Sequence, residues 1–148
     1  MDQYVIYNNT YHVLICHQCH FAIRQDRIIR HFRQLHKLIP LNTRQEIIEY
    51  GKLLDLWEPN NVQAIKELNP NKSPVQGLST IIGLQCQYDG CNKLTRVESS
   101  MKHHCWVEHH WSKKDGNMWK KQSVQTFFEG QNCKYMTTIS GLTLDCLQ

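Results

Sequence analysis

The chain lacks any run of eighteen apolar residues, and residues 1–15 lack a basic start followed by a sustained apolar stretch. The first absence argues against a membrane-spanning helix and the second against a secretory signal, so a soluble, intracellular chain with reduced thiols is expected. Gly-rich, coiled-coil and low-complexity blocks are missing too, which leaves a folded domain as the economical expectation. There is no H-E-x-x-H, no deaminase H-x-E with a following P-C-x-x-C, no phosphate-binding Walker loop and no G-x-S-x-G. A non-catalytic chain without a small-molecule substrate is expected on that ground. The final Asp145-Cys146-Leu147-Gln148 places its cysteine one residue too late for a prenylation box.

What is present is cysteine and histidine: seven cysteines and nine histidines in 148 residues. Cys16, Cys19, His31 and His36 read as C-x2-C-x11-H-x4-H, and Cys86, Cys91, His104 and His109 as C-x4-C-x12-H-x4-H. Each pattern is close to that of a two-cysteine, two-histidine zinc site, and its occurring twice strengthens the reading. Thiolates and neutral imidazoles are borderline-soft donors, and four of them saturate Zn2+ without leaving a place for water or substrate. Two structural zinc ions per chain are therefore expected. In a reducing compartment these spacings favour metal over disulfides, and Cys105, Cys133 and Cys146 remain as free thiols.

A finger pins a hydrophobic residue, two residues ahead of its first histidine, between the metal and a short hairpin. Ile28 has that place before His31, and Met101 before His104; choosing His103 instead would put Ser100 there. Histidines doubled at 103/104 and 109/110 leave His103 as an alternative ligand, and Cys105 is a third thiolate that could replace His104. In the first finger Ile23, Ile28, Phe32 and Leu35 fall near one side of a helix over residues 25–35. Histidines five apart are about 140° out of register on an α-helix at 3.6 residues per turn. A last turn wound tighter or looser is expected in both fingers.

The fingers are separated by residues 37–85, too long for a tandem DNA-reading linker. Thr43-x-x-Glu46 reads as a capping box ahead of Ile47, Ile48, Leu53, Leu54 and Leu56, predicting a helix over 44–56. A short helix is possible over 62–68, and Ser73-Pro74 marks a turn. After the second finger, residues 123–128 and 134–139 read as strands joined by Glu129-Gly130-Gln131-Asn132. The expected fold is α+β: a small zinc-stabilised domain with two ββα-like C2H2 zinc fingers, an intervening helix and a C-terminal β-hairpin. As boundaries, 1–148 forms one compact domain, with finger 1 at 12–37, a helical connector at 38–76, finger 2 at 81–111 and the hairpin at 119–140.

Several of these features occur together in one known family. They are Cys16-x-x-Cys19 with Arg30-His31 and His36-Lys37-Leu38, Arg44-Gln45-Glu46-Ile47, Gly77-Leu78 before the second cysteine pair, Met101-Lys102-His103-His104 with His109-His110-Trp111, and Trp119 with Val124-Gln125-Thr126-Phe127-Phe128. The set resembles the fungal OrsD-like domain family over residues 11–139. That resemblance implies a paired zinc-finger domain, found alone or beside larger regions such as helicase-like and mobile-element proteins, and supplies no established biochemical activity. The four residues between Cys86 and Cys91 depart from the two more usual in such domains.

Charge suggests what the fingers contact. Residues 16–37 hold Arg24, Arg27, Arg30, Arg33 and Lys37 against Asp26, a surplus equal to the net +4 of the whole chain. If His31 is position seven of a recognition helix, base-facing positions −1, 2, 3 and 6 are Arg24, Asp26, Arg27 and Arg30. Arginine pairs bidentately with guanine, and a neighbouring carboxylate can hold the guanidinium in place. The equivalent positions in the second finger are Val97, Ser99, Ser100 and His103, so only the first is equipped to read bases. Phosphate contacts from Lys93, Arg96, Lys102, Lys113, Lys114, Lys120 and Lys121 would have to assist. A DNA-binding, nuclear domain is expected; the alternative is a protein-interaction or architectural module using the hairpin at 124–139.

Overall fold

The computed structural model describes residues 1–68, 73–130 and 133–138. They fall into two compact units, each enclosing one cysteine–histidine quartet. The first takes the described residues of Met1–Asn71, Val75–Ser79 and Thr126–Lys134; the second takes those of Lys72–Pro74, Thr80–Gln125 and Tyr135–Gln148. The architecture is α+β, with four α-helices and two antiparallel sheets among the described residues.

In the first unit β1 (Val5–Asn8), β2 (Val13–Cys16) and β3 (Ala22–Ile23) form a sheet in that order. The central strand Val13-Leu14-Ile15-Cys16 is buried on both faces, which its apolar, β-branched composition suits. Strands β2 and β3 are the expected finger hairpin. Strand β1 lies ahead of the expected finger boundary and pairs with β2 from Val5↔Cys16 to Asn8↔Val13. The turn between them is closed by the Asn8 carboxamide oxygen, which accepts from the backbone N–H groups of Thr10 and Tyr11 at 3.0 Å.

The finger helix is not uniform. A 3₁₀ turn (Gln25–Arg27) leads into one α turn, α1 (Ile28–Arg30), which continues as a π-helical segment (His31–Leu35). Helix α2 (Leu41–Leu53) begins earlier than the capping box suggests. Pro40 stands at its N-cap in extended geometry with no side-chain cap, and its carbonyl accepts from Arg44 N–H at 2.9 Å. Thr43 and Glu46 thus lie inside the helix, because the fixed φ of Pro40 starts it upstream. The end also differs from the expected Leu56: Leu54 is already extended. Helix α3 (Pro59–Leu68) spans the shorter helical stretch and opens on a proline, which fits a first helical position because that N–H is unpaired anyway.

The core of this unit gathers Val5, Leu14, Ile23, Ile28, Phe32, Ile47 and Ile48 around Cys16. Gly51 on α2 permits close approach: a Cβ there would stand 2.9 Å from Ile28 Cδ1. Residues 126–134 belong to the same unit, where Phe127 packs on Tyr11 with ring centroids 5.2 Å apart and its carbonyl accepts from Ala22 N–H at 2.6 Å.

In the second unit β4 (Ile81–Cys86), β5 (Leu94–Thr95), β6 (Trp119–Gln125) and β7 (Met136–Thr137) form a sheet ordered β5-β4-β6-β7. Helix α4 (Glu98–His109) follows β5. Strand β6 pairs with β7 at Val124↔Thr137 and Gln125↔Met136, between the two stretches expected to form the hairpin. Its main partner is β4, over six residue pairs from Ile81↔Val124 to Cys86↔Trp119. The strand therefore begins at Trp119 and ends at Gln125, earlier than the expected 123–128, while Phe127 and Phe128 are buried in the first unit. Gln131, Asn132, Ile139 and Ser140 of the expected hairpin, and the expected free thiol Cys146, lie outside the described residues. Met101, Cys105 and Trp111 form the buried centre with Cys86, and Trp119 packs against it. No helix among the described residues is long and apolar enough to cross a membrane.

Candidate metal centres

Each quartet assembles from a strand end, a turn and a helix. In the first unit Cys16 closes β2, Cys19 stands in the following turn, and His31 and His36 bracket the π segment. A π turn closes i→i+5, so it returns the sixth residue toward the first and aligns two histidines that an α turn would splay. The looser winding expected from the spacing is present here. Phe32, fully buried, packs beside both rings, its centroid 5.0 Å from His31 and 5.6 Å from His36.

Donor separations decide whether the quartet suits a metal. Zinc bonds of roughly 2.3 Å to sulfur and 2.0–2.1 Å to nitrogen put neighbouring tetrahedral donors about 3.4–3.8 Å apart. Cys16 Sγ and Cys19 Sγ each lie 3.4 Å from His36 Nε2, Cys19 Sγ lies 3.8 Å from His31 Nε2, and the two Nε2 atoms are 3.0 Å apart. All four donor atoms lie within 4.8 Å of one another. The three separations that involve sulfur match that spacing, while the two Nε2 atoms stand somewhat closer than bound zinc would hold them.

The electrostatics agree. Burial, then His36, holds the His31 imidazole down at about 4, and burial lowers His36 as well. The Cys19 thiol is pushed up to about 12, by burial first and then by Cys16. Without a cation the charged forms of Cys19, His31 and His36 are all disfavoured, and a divalent ion bound by two thiolates and two neutral imidazoles would satisfy the pocket.

In the second unit Cys86 ends β4, Cys91 follows in the turn, and His104 and His109 come from α4. Cys91 Sγ lies 3.1 Å from His104 Nε2, and the four donors again lie within 4.8 Å of one another. His109 Nε2 is buried without a hydrogen-bond partner, as an atom directed at a cation would be. Here the expected distortion of the last turn is not found. Helix α4 stays α-helical through His109 and ends on His110 in the left-handed conformation at φ 53°. His103 and His110 are both exposed, outside the quartet. Burial, followed by the neighbouring His109 and Lys93, lowers His104, and burial raises Cys91.

One feature of this centre escapes the spacing argument, and another places the alternative thiolate that the sequence offers. Tyr88, between the paired cysteines, stacks on His109 with centroids 4.0 Å apart and planes 13° apart. An aromatic residue inside the C-x4-C turn was the available signal. Cys105, fully buried, lies with its Sγ 4.0 Å from that of Cys86, and burial first, then Cys86, pushes its thiol up to about 11. The donor sets of both units fit zinc, one ion each and two per chain.

The arginines of the first finger lie beside its metal centre. Asp26, Arg27, Arg30 and Arg33 are exposed, and Arg24 is half-buried. Arg24 Nη2 donates to Asp26 Oδ2 at 3.2 Å, and Arg30 Nε to Gln34 Oε1 at 3.0 Å. Arg24 Nε is buried without a partner. Arg24 and Arg27 line an open cleft of about 270 Å3 with Phe21, His31, Phe128 and Glu129. In the second unit Lys93, Arg96, Lys113, Lys114, Lys120 and Lys121 are exposed, while Lys102 is half-buried and pairs with Glu98 at 3.4 Å.

Comparison with known proteins places the chain in a family. Residues 3–111 match the OrsD family, described as orsellinic acid/F9775 biosynthesis cluster protein D. A curated protein of that description from Emericella nidulans is 34% identical over 129 residues, which is 87% of this chain and 24% of the relative. The chain thus spans about a quarter of the relative's length. No solved structure matches. With the family match covering both quartets, and with the identity extending over most of the chain, the protein belongs to the OrsD family.

Proposed function

We propose that this chain is a zinc-stabilised, non-catalytic nucleic-acid-binding domain that works in the nucleus, with DNA as its ligand. The observation that carries the reading is the exposed arginine face of the first finger helix, Arg27, Arg30 and Arg33, beside the Arg24–Asp26 pair. An arginine already oriented by a carboxylate loses less freedom on meeting a base edge, and its neighbours can take phosphates. The uniform helix of the spacing argument is replaced by three short windings. One finger of this kind buries roughly 600–1,000 Å2 on DNA, so the lysines of the second unit have to supply phosphate contacts.

The test is anisotropy of a labelled duplex with the zinc-loaded chain at several salt concentrations. Affinity should fall with a log–log slope of about −0.9 per phosphate contacted. Exchanging Arg24, Arg27 and Arg30 for Ala should weaken binding by at least about 100-fold, since each good base contact contributes about 1–3 kcal/mol. Unchanged binding by that variant would remove the finger from the interface.

A second reading, protein docking, is favoured by exposed apolar residues on and beside α4. Val97, Trp106 and Val107 are 53%, 62% and 49% exposed. The hairpin surface considered for a partner offers only the two residues of β7 as an edge strand among those described. Salt-insensitive capture of a protein partner, with no salt-dependent DNA binding, would favour docking over DNA.

A further inference from the structure

The second centre has one more sulfur than its quartet uses. Cys86 Sγ and Cys105 Sγ are 4.0 Å apart, close to the roughly 3.8 Å that separates two thiolates bound to one zinc at bonds of about 2.3 Å. Cys105 directly follows His104 on α4, about 100° further round the helix. They differ in depth: Cys105 and Cys86 are buried at 0% and 1% exposure, and His104 is half-buried. The four donors that gather within 4.8 Å are Cys86, Cys91, His104 and His109, and Cys105 stands behind them against Cys86.

We propose that Cys105 is a reserve ligand of the second metal centre, its thiolate replacing His104 and converting the donor set from two sulfurs and two nitrogens to three sulfurs and one nitrogen. In that exchange the metal–Nε2 bond to His104 breaks, the Cys105 thiol gives its proton to water, and a metal–sulfur bond forms. Three cysteines and a histidine form an established closed zinc set, and the third thiolate makes the site softer, favouring thiophilic ions. The site keeps four ligands throughout.

Cobalt(II) in place of zinc in the full chain reads the number of sulfurs through its thiolate-to-cobalt charge-transfer absorbance. The chain with its native sequence should bind two cobalt ions through four thiolates. His104→Ala should still bind two, with that absorbance higher by about one quarter because five thiolates are engaged. The double variant His104→Ala/Cys105→Ala should lose the gain, and Cys105→Ala alone should match the native sequence. Three results overturn the proposal: one cobalt in His104→Ala, two cobalts there without the added absorbance, or reduced absorbance in Cys105→Ala alone, which would make Cys105 a resident ligand.

Discussion

At the scale of single residues, the metal centres are acid–base devices as well as staples. The Cys19 thiol, raised to about 12 by burial, is protonated at neutral pH, so metal has to displace its proton. The metal-bound form holds fewer protons than the metal-free form, and affinity therefore rises with pH. His31, lowered to about 4, is already neutral and adds no competition until the solution approaches that value. Zinc affinity measured against a chromophoric chelator between pH 6 and 8 should rise about tenfold per pH unit for each proton released; a flat profile would contradict the assignment of Cys19. Gly77 is a residue whose need is steric. Its φ is +95°, and a Cβ there would meet Ile15 Cγ2 and Ile6 Cδ1 at 3.1 Å. Gly77→Ala should cost the zinc-loaded protein about 1–3 kcal/mol in urea unfolding; equal stability would show that the turn relaxes freely.

At the scale of elements, the two finger helices solve the same five-residue histidine spacing differently. The first loosens to a π turn between His31 and His36, and the second remains α-helical from His104 to His109. In the first unit the π turn takes up the extra residue between the histidines, and one residue fewer should remove it. Deleting Gln34, which is exposed, leaves three residues between the histidines, still within the usual zinc-finger range. The deletion variant should retain two zinc ions, while backbone chemical shifts over residues 31–36 move to α-helical values. Loss of the first ion would mean that the π winding is required rather than tolerated. The sheets carry a parallel lesson. Strand β6 has the composition of a hairpin partner for β7 and makes most of its pairs with β4, because a six-residue strand offers more ladder than a two-residue one.

At the scale of the whole molecule, each unit is small and each encloses a metal centre. Apparent zinc binding of roughly 10–16 kcal/mol in finger peptides is comparable with or exceeds the 5–15 kcal/mol that stabilises an ordinary domain. Elemental analysis of purified protein should find about two zinc ions per chain, and strong chelation should unfold both units. The extents should differ. Among the described residues the core cluster around Cys16 has nine buried members, and that around Cys86 has four. The first unit should thus retain more residual structure. Trp106, Trp111 and Trp119 lie in the second unit, so tryptophan fluorescence should report mainly on its loss. Amide protection that persists in Val13–Cys16 after chelation would support the ranking, and loss from both units alike would overturn it.

The sequence by itself determined the donor sets, because a zinc ligand is an atom type at a fixed spacing, and Cys16, Cys19, His31, His36, Cys86, Cys91, His104 and His109 carry both. Ile28 and Met101 were legible for the same local reason: each must reach the core from the turn ahead of its histidine. Non-local pairing had no such signature. Nothing within residues 5–8 says that they extend the finger sheet as β1, and nothing in 119–125 says that β4 outbids β7 for its ladder. The helix start at Leu41 was decided by Pro40 against a capping box that reads equally well on paper. The place of Cys105 beside Cys86 was decided by packing, since nineteen residues separate them and only the seating of α4 on the sheet brings the two sulfurs to 4.0 Å. Ligand chemistry is written in single residues, whereas register and proximity come from which surfaces exclude water together.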